Sequence, residues 1–194
     1  LAASGPAGGI VSSSYLGKTI GEKNILTADM GGTSFDVSVI YNEEPITVSR
    51  AQIGPFQTNL PILGITTVGA GGGSIAWIDE GGSLKNGPKS AGAFPGPACY
   101  GRGGAEATVT DANVVLGRLH PEALLGGRMP IRADLAREAI VRGVAKPMGM
   151  SLEEAACGVL TILNENLIQA IRVISVEQGF DPREFTLVSF GGAG

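Results

Sequence analysis

Cysteine and histidine are scarce: the 194 residues include two cysteines and one histidine. Cys99 and Cys157 cannot supply a disulfide framework, so a reducing compartment, the cytosol, is the expected setting. So few sulfur and imidazole donors also leave no ligand set for zinc within the chain. His120, followed by Pro121 at an expected helix end, reads as a surface or capping residue, which sets aside a His-based triad. Charge is sparse too, with charged residues at 16% and a net charge of −4. That balance gives no electrostatic reason to expect nucleic acid or an anionic membrane as partner. No signal peptide opens the chain, and no uninterrupted apolar run is long enough to span a bilayer.

What is abundant is glycine, at 31 residues about twice average usage, and without the strict period of collagen. The glycines cluster in turns, which suits a fold that brings backbone close to a ligand. A hydrophobic share of 43% and a mean hydropathy of +0.22 predict a folded domain, and the length suffices for one good core or two small lobes. The chain opens on Leu1 and stops at Gly194 inside a Gly-rich turn, so both ends are expected to be cuts in a longer protein.

Periodicity orders the elements. Ala7 to Gly17 predicts a short helix with Pro6 near its start. Ile25-Leu26-Thr27-Ala28 and Val37-Ser38-Val39-Ile40 predict two strands, and Pro45 to Ser49 a third, giving a three-strand meander. Residues from about 54 to 104 form a loop-rich insert, with a strand at Ser74 to Ile78, a turn at Asp79 to Gly82, and a loop or lid from Lys85 to Gly104. Helices follow: one capped by Thr110 or Asp111 and running past Val114 and Val115 to Leu119, and one from Asp134 with Leu135, Ala139, Ile140 and Val144 on one face. The longest opens on the capping box Ser151-Leu152-Glu153-Glu154 and runs to about Gln178, with Cys157 in its core face and Gly179 as its stop. Phe185 to Phe190 reads as a buried strand that delivers Gly191-Gly192-Ala193-Gly194.

Chemistry concentrates in Asp29-Met30-Gly31-Gly32-Thr33-Ser34-Phe35-Asp36, a polar Gly-Gly turn between two strands. Adjacent glycines let successive N–H groups face a ligand, and Thr33 and Ser34 add hydroxyls. Such donors hold phosphate oxygens, and a nearby carboxylate holds a metal or its waters. An ordinary hairpin with polar turn residues accounts for the same segment. Gly69 to Ser74 is neither a Walker loop, lacking Gly-Lys-Ser/Thr, nor a dinucleotide fingerprint, because Ser74 replaces the third glycine. Cys99 would be a nucleophile only with a base from elsewhere, and Asp111 and Asn113 fit a helix start.

The hairpin resembles a phosphate-binding hairpin of the superfamily of actin, sugar kinases and heat-shock chaperones, in its hydantoinase/oxoprolinase branch. Five further blocks match in order: Ser4 to Gly9, Gly69 to Ala76, Pro95 to Gly101, Thr110 to Asn113, and Phe190 to Gly194. The resemblance implies an α/β, actin-like ATPase (ribonuclease H-like) domain, the later of two lobes around an ATP cleft. The N-terminal lobe, with its own Asp-x-Gly-Gly-Thr loop, would precede Leu1. It further implies that Asp29, Gly31, Gly32, Thr33 and Ser34 line the phosphates, with Asp29 positioning Mg2+ or its waters as the catalytic carboxylate. Gly191, Gly192, Ala193 and Gly194 would lie on the adenosine side, and Asp36 would brace the hairpin. The implied activity is ATP-dependent opening of a cyclic amide, a lactam or hydantoin, in a larger enzyme with a hydantoinase B-type companion and a small-molecule substrate. Carboxylation of a ketone of the acetone or acetophenone type is the enzymatic alternative. A nucleotide-gated binding module is the alternative from another class. Two departures bear on the reaction. Gly64, Ile65, Thr66 and Thr67 stand where relatives often carry an acid and a histidine, and Phe94 where they carry Asp.

Overall fold

The computed structural model describes residues 4–48, 51–53, 56–58, 61–120 and 127–194. Leu1, Ser49, Gly54 and Pro121 lie outside the described residues. Helix α1 (Ser4–Ile20) leads into β1 (Ile25–Met30) and β2 (Phe35–Tyr41). Short strands follow as β3 (Glu44–Pro45), β4 (Thr47–Val48), β5 (Ala51–Ile53), β6 (Phe56–Thr58), β7 (Ile62–Leu63) and β8 (Ile65–Val68). A hairpin of β9 (Ser74–Ile78) and β10 (Leu84–Ser90) precedes α2 (Val109–Val115) and α3 (Ala133–Ile140). The latter continues through a π-helical turn into α4 (Lys146–Met148), and α5 (Leu152–Ile174) and β11 (Thr186–Phe190) close the chain.

The main sheet runs β11-β1-β2, with β3 and β8 both pairing to the far side of β2. Period-2 alternation gives its two faces different partners. Leu26, Ala28, Phe35, Val37 and Val39 pack against Val109, Ile140, Val144, Val159 and Leu163 from the helices. Ile25 and Ile40 point the other way and pack on Ile10 of α1. The result is a layer of helix on each face of a mixed α/β sheet. Each fully buried Val or Ile contributes roughly 1.5–3 kcal/mol, so most stability lies in the α5 layer. Glycine sets how closely α1 approaches. A Cβ at Gly17 would come within 2.5 Å of Ile25 Cδ1, and one at Gly9 would enter the Phe190 ring.

The helix starts follow side-chain chemistry. Ser151 Oγ accepts from Glu154 N at 3.3 Å while Glu154 Oε2 accepts from Ser151 N at 2.9 Å, as the capping-box sequence predicts. Gly179, at φ +85°, closes the turn after α5.

Several expectations need correction. The cap of α2 is Thr108, not Thr110 or Asp111: Asp111 sits at the third helical position and completes the box, and the helix ends at Val115, short of Leu119. The third meander strand breaks in two, because β3 covers only the Ile40–Tyr41 end of β2 while β8 covers Phe35 to Ser38. The region read as loop-rich carries strands, and Lys85 to Ser90 pairs with β9, since backbone pairing tolerates Gly87 and Pro88 at an irregular register. Cys157 is exposed rather than in the core, being one position past the buried Ala156 on α5. Helix α5 stops at Ile174, and a 3-10 turn covers Val176–Gln178. Strand β11 is only half buried, with Leu187 at 56% exposure on the edge of the sheet. Finally, Leu152–Gln178 is long and apolar enough to cross a membrane by length and composition, but its inner face is here the central wall of the core.

Candidate functional site

Strands β1 and β11 are parallel neighbours with Asp29 opposite Phe190, so the Gly31 and Gly191 turns leave the sheet at the same edge. The carboxyl ends of parallel strands are where open α/β sheets bind ligands. Ala193 N donates to Met30 O at 2.8 Å, tying the two turns together. Gly191 has φ +93°, and a Cβ there would lie 2.5 Å from both Asp29 Oδ1 and Met30 O. Gly192 is different: a Cβ on it would meet nothing within 4 Å.

A third glycine turn packs on the hairpin. Gly72 N donates to Gly31 O at 3.0 Å and Gly73 N to Gly32 O at 2.6 Å. A Cβ on Gly71 would sit 2.7 Å from Gly31 O, Gly32 C and Thr33 N. Backbone lies on backbone here, and glycine is required for clearance. Gly72 O in turn accepts from Thr110 N at 2.8 Å and Thr110 Oγ1 at 2.7 Å, linking the turn to the start of α2.

These turns rim a cleft of about 490 Å³. Gly32, Gly72, Gly73, Gly192, Ala193 and Gly194 form its upper wall, and Leu160, Leu163 and Leu167 of α5 its apolar floor. Tyr100, Thr110, Asn113 and Asn164 supply hydrogen-bonding groups, and Arg118 supplies a cation at the rim. A pocket of this size with an apolar floor and a few polar groups suits a small ligand.

Asp29 lies on the other face of the sheet. Three cross-strand rungs approach the turn there: Ile25 with Ile40, Thr27 with Ser38, and Asp29 with Asp36. The second is joined by a 2.7 Å Thr27 Oγ1–Ser38 Oγ hydrogen bond. In the third, Asp36 accepts from Ser34 Oγ at 3.1 Å and from Thr67 Oγ1 at 2.5 Å, which fits its bracing role. No hydrogen-bond donor among the described residues reaches the Asp29 carboxylate. Burial, and then the Asp36 charge, push its pKa above the ordinary Asp value. Among the described residues no three His, Cys, Asp or Glu side chains gather as a metal site. A cation here would therefore rest on Asp29, at most one further carboxylate and ligand oxygens, the coordination that suits Mg2+ with a phosphate ligand.

Below the cleft, Asp111 organises the Pro-Gly-Pro-Ala-Cys loop. Its fully buried carboxylate accepts from Cys99 N at 2.8 Å, Ala98 N at 3.3 Å, Thr108 N at 3.0 Å and Thr108 Oγ1 at 2.7 Å. Burial and the Asp111 charge push the Cys99 thiol far above its ordinary range, which removes it as a nucleophile. Burial likewise raises the Tyr100 phenol. Native protein treated with DTNB is therefore expected to react at Cys157, with Cys99 following only in denaturant. Fast labelling of Cys99 in the native state would contradict its sealed position.

Of the residues singled out in the sequence, Gly32, Gly192, Ala193 and Gly194 line the cleft. Gly31 spends its N–H on Ser34 O at 3.0 Å, and Thr33 Oγ1 meets Ser90 Oγ at 3.3 Å. Ser34 is held by Asp36, and Asp29 touches the Gly191 turn from the opposite face. The sequence reading missed Tyr100, Arg118, Asn164 and the α5 leucines. Tyr100 sits in one of the matching blocks and was within reach; Arg118 and Asn164 carried no local signal.

A model of the hydantoinase/oxoprolinase family matches residues 1–194. The crystal structure of ATP-dependent caprolactamase from Pseudomonas jessenii superposes with a TM-score of 0.88 at 42% identity, covering 98% of this chain and 28% of that one. A nucleotide-free acetone carboxylase structure, from work on ATP-dependent acetone carboxylation, gives a TM-score of 0.88 at 36% identity, covering 97% and 27%. The acetophenone carboxylase gamma subunit of Aromatoleum aromaticum is 42% identical over 192 residues, which is 98% of this chain and 26% of that subunit. The chain thus spans about a quarter of the length of these relatives. With a mixed α/β architecture shared at this level and a family match along its whole length, the chain belongs to the hydantoinase/oxoprolinase family.

Proposed function

We propose that this chain is the phosphate- and adenosine-contacting lobe of an actin-like ATPase unit, within a larger ATP-dependent enzyme that opens a cyclic amide. One observation carries the reading: two glycine turns meet at the carboxyl ends of parallel β1 and β11, with an unpaired Asp29 carboxylate against one of them. Hairpin backbone around Gly32 to Ser34 would face phosphate, and Asp29 would hold Mg2+ or its waters. Gly192 to Gly194 leave open surface on which a purine or ribose can lie. ATP would supply phosphorylation of a carbonyl oxygen, which makes an otherwise unreactive amide carbon electrophilic. The companion subunit and the remaining lobe of the cleft would complete the site. The 42% identity to a carboxylase subunit favours ketone carboxylation as the second reading, in which the same activation serves C–C bond formation.

Gly192→Val in the full protein tests the assignment. Its Cβ enters open space, so melting temperature should hold while ATP affinity, measured by calorimetry with Mg2+, falls about tenfold or more. Unchanged affinity would remove the Gly191–Gly194 turn from the nucleotide site.

A further inference from the structure

The cleft belongs mainly to one end of a nucleotide. Of the residues assigned to phosphate, Gly32 borders it and Asp29, Gly31, Thr33 and Ser34 do not, whereas Gly192, Ala193 and Gly194 of the adenosine side all do. The space over the α5 leucines is therefore the nucleoside end, and phosphates would leave it past Gly32. Thr110 marks the glycine end of α2, because its N–H is spent on Gly72 O. At 1.5 Å per residue, the last residue of α2 lies roughly 8 Å farther along the helix.

A Schellman turn ends α2 there. Gly117, at φ +70°, donates its N–H to Val114 O at 3.1 Å, and Arg118 N donates to Asn113 O at 2.9 Å. After this turn Arg118 and Leu119 both border the cleft. Arg118 is exposed, and among the described residues it is the one charged side chain in the lining. Among the described residues no carboxylate pairs with its guanidinium. A cation beside the last turn of a helix complements the macrodipole, but that role is met anywhere around the helix end and does not call for a place in the cleft.

We propose that Arg118 holds the base of the nucleotide, with its guanidinium against a purine that rests on Leu160 and Leu163. The inference rests on the nucleotide reading above and adds to it a residue outside the glycine turns. Leucine side chains give a base an apolar seat but no hydrogen bond and no charge. A guanidinium is planar, weakly hydrated and always charged, so it stacks on an aromatic ring and is attracted by its π face. Lysine in the same place would supply the charge without the plane. Phosphate is the competing partner for an unpaired arginine, and the two assignments differ in which fragment of ATP depends on it.

Adenosine and inorganic tripolyphosphate are the fragment probes, titrated with Mg2+ into the full protein by ligand-observed NMR, with ATP measured by calorimetry. In Arg118→Ala, adenosine and ATP should weaken by the same factor, about tenfold, while tripolyphosphate affinity holds. Arg118→Lys should resemble Arg118→Ala toward adenosine. Both variants change an exposed side chain, so melting temperature should hold. Weaker tripolyphosphate binding in Arg118→Ala, rescued in Arg118→Lys, would assign Arg118 to phosphate and overturn the proposal. So would a parent protein that binds ATP but not adenosine. Unchanged adenosine and ATP affinity in Arg118→Ala would leave Arg118 as a helix-end cation; the nucleotide reading would outlive that result if Gly192→Val still lost ATP affinity. A parent protein that binds no ATP would remove the reading and the inference together.

Discussion

Asp111→Ala is expected to lower stability by about 3 kcal/mol or more, read as a shift of the urea midpoint. The substitution strips the partner from the buried N–H groups of Ala98 and Cys99 and from Thr108, and dismantles the capping box of α2. Each buried donor left unpaired costs about 1–3 kcal/mol, and a water taking the carboxylate's place can accept from only some of the N–H and O–H groups that Ala98, Cys99 and Thr108 direct at it. Asp111→Asn should cost less, because one amide oxygen can still serve Cys99 N–H while its NH2 group meets the other donors unfavourably. The damage should reach the cleft, since the same carboxylate places Pro97 and Tyr100 of the loop next to Thr110 and Asn113 of α2. A loss below about 1 kcal/mol for Asp111→Ala would show that the loop is held by other contacts.

For Asp29→Asn in the full protein, ATP turnover should fall on the order of 100-fold or more while the fold persists. The physical basis is the unpaired carboxylate. A carboxyl group whose pKa is raised by folding contributes stability below its unfolded value, near 3.8, and loses that contribution as pH climbs through the folded value. At neutral pH, without a cation, the ionised Asp29 beside Asp36 is therefore a cost. The Asn variant should melt at an equal or higher temperature at pH 7, and that advantage should disappear in acid. Added Mg2+ with nucleotide should stabilise the parent and leave the variant unmoved. Loss of folding in the variant would make Asp29 a structural residue; normal turnover with normal Mg2+ dependence would return the hairpin to an ordinary turn.

Strands with a clean period of two were legible in the sequence. Ile25 to Ala28 and Val37 to Ile40 fall inside β1 and β2, and the pairing of Asp29 with Asp36 follows once the hairpin is closed. Ser151-x-x-Glu154 and Gly179 mark the start and stop of the long helical segment because capping is a local interaction. What failed to show depends on partners far along the chain. Nothing in Ile65 to Val68 says that it will take the edge of β2 left by β3, and nothing in Lys85 to Ser90 announces a strand through Gly87 and Pro88. The cap of α2 was misplaced because Thr108, Thr110 and Asp111 all suit a helix start, and only the Asp111 carboxylate facing back to Thr108 selects among them. Clustered glycines suit close approach of backbone to a ligand, but at Gly71 and Gly73 the close approach is of one backbone to another.

The adjacency of β1 and β11 has a consequence for how the molecule is made. Ile25 and Thr186 are register partners about 160 residues apart, so the central sheet cannot be completed until Thr186 has left the ribosome. The β1–β2 hairpin can close early, being local, but the β1 edge then waits with its N–H and C=O groups unpaired. Such an edge invites strands from other nascent chains, and high contact order makes the wait long. Asp29 and Gly191 first meet when β11 pairs with β1. The candidate site is thus assembled only when β11 docks on β1, and a chain stalled before Thr186 would be both incompetent for ligand and prone to aggregate.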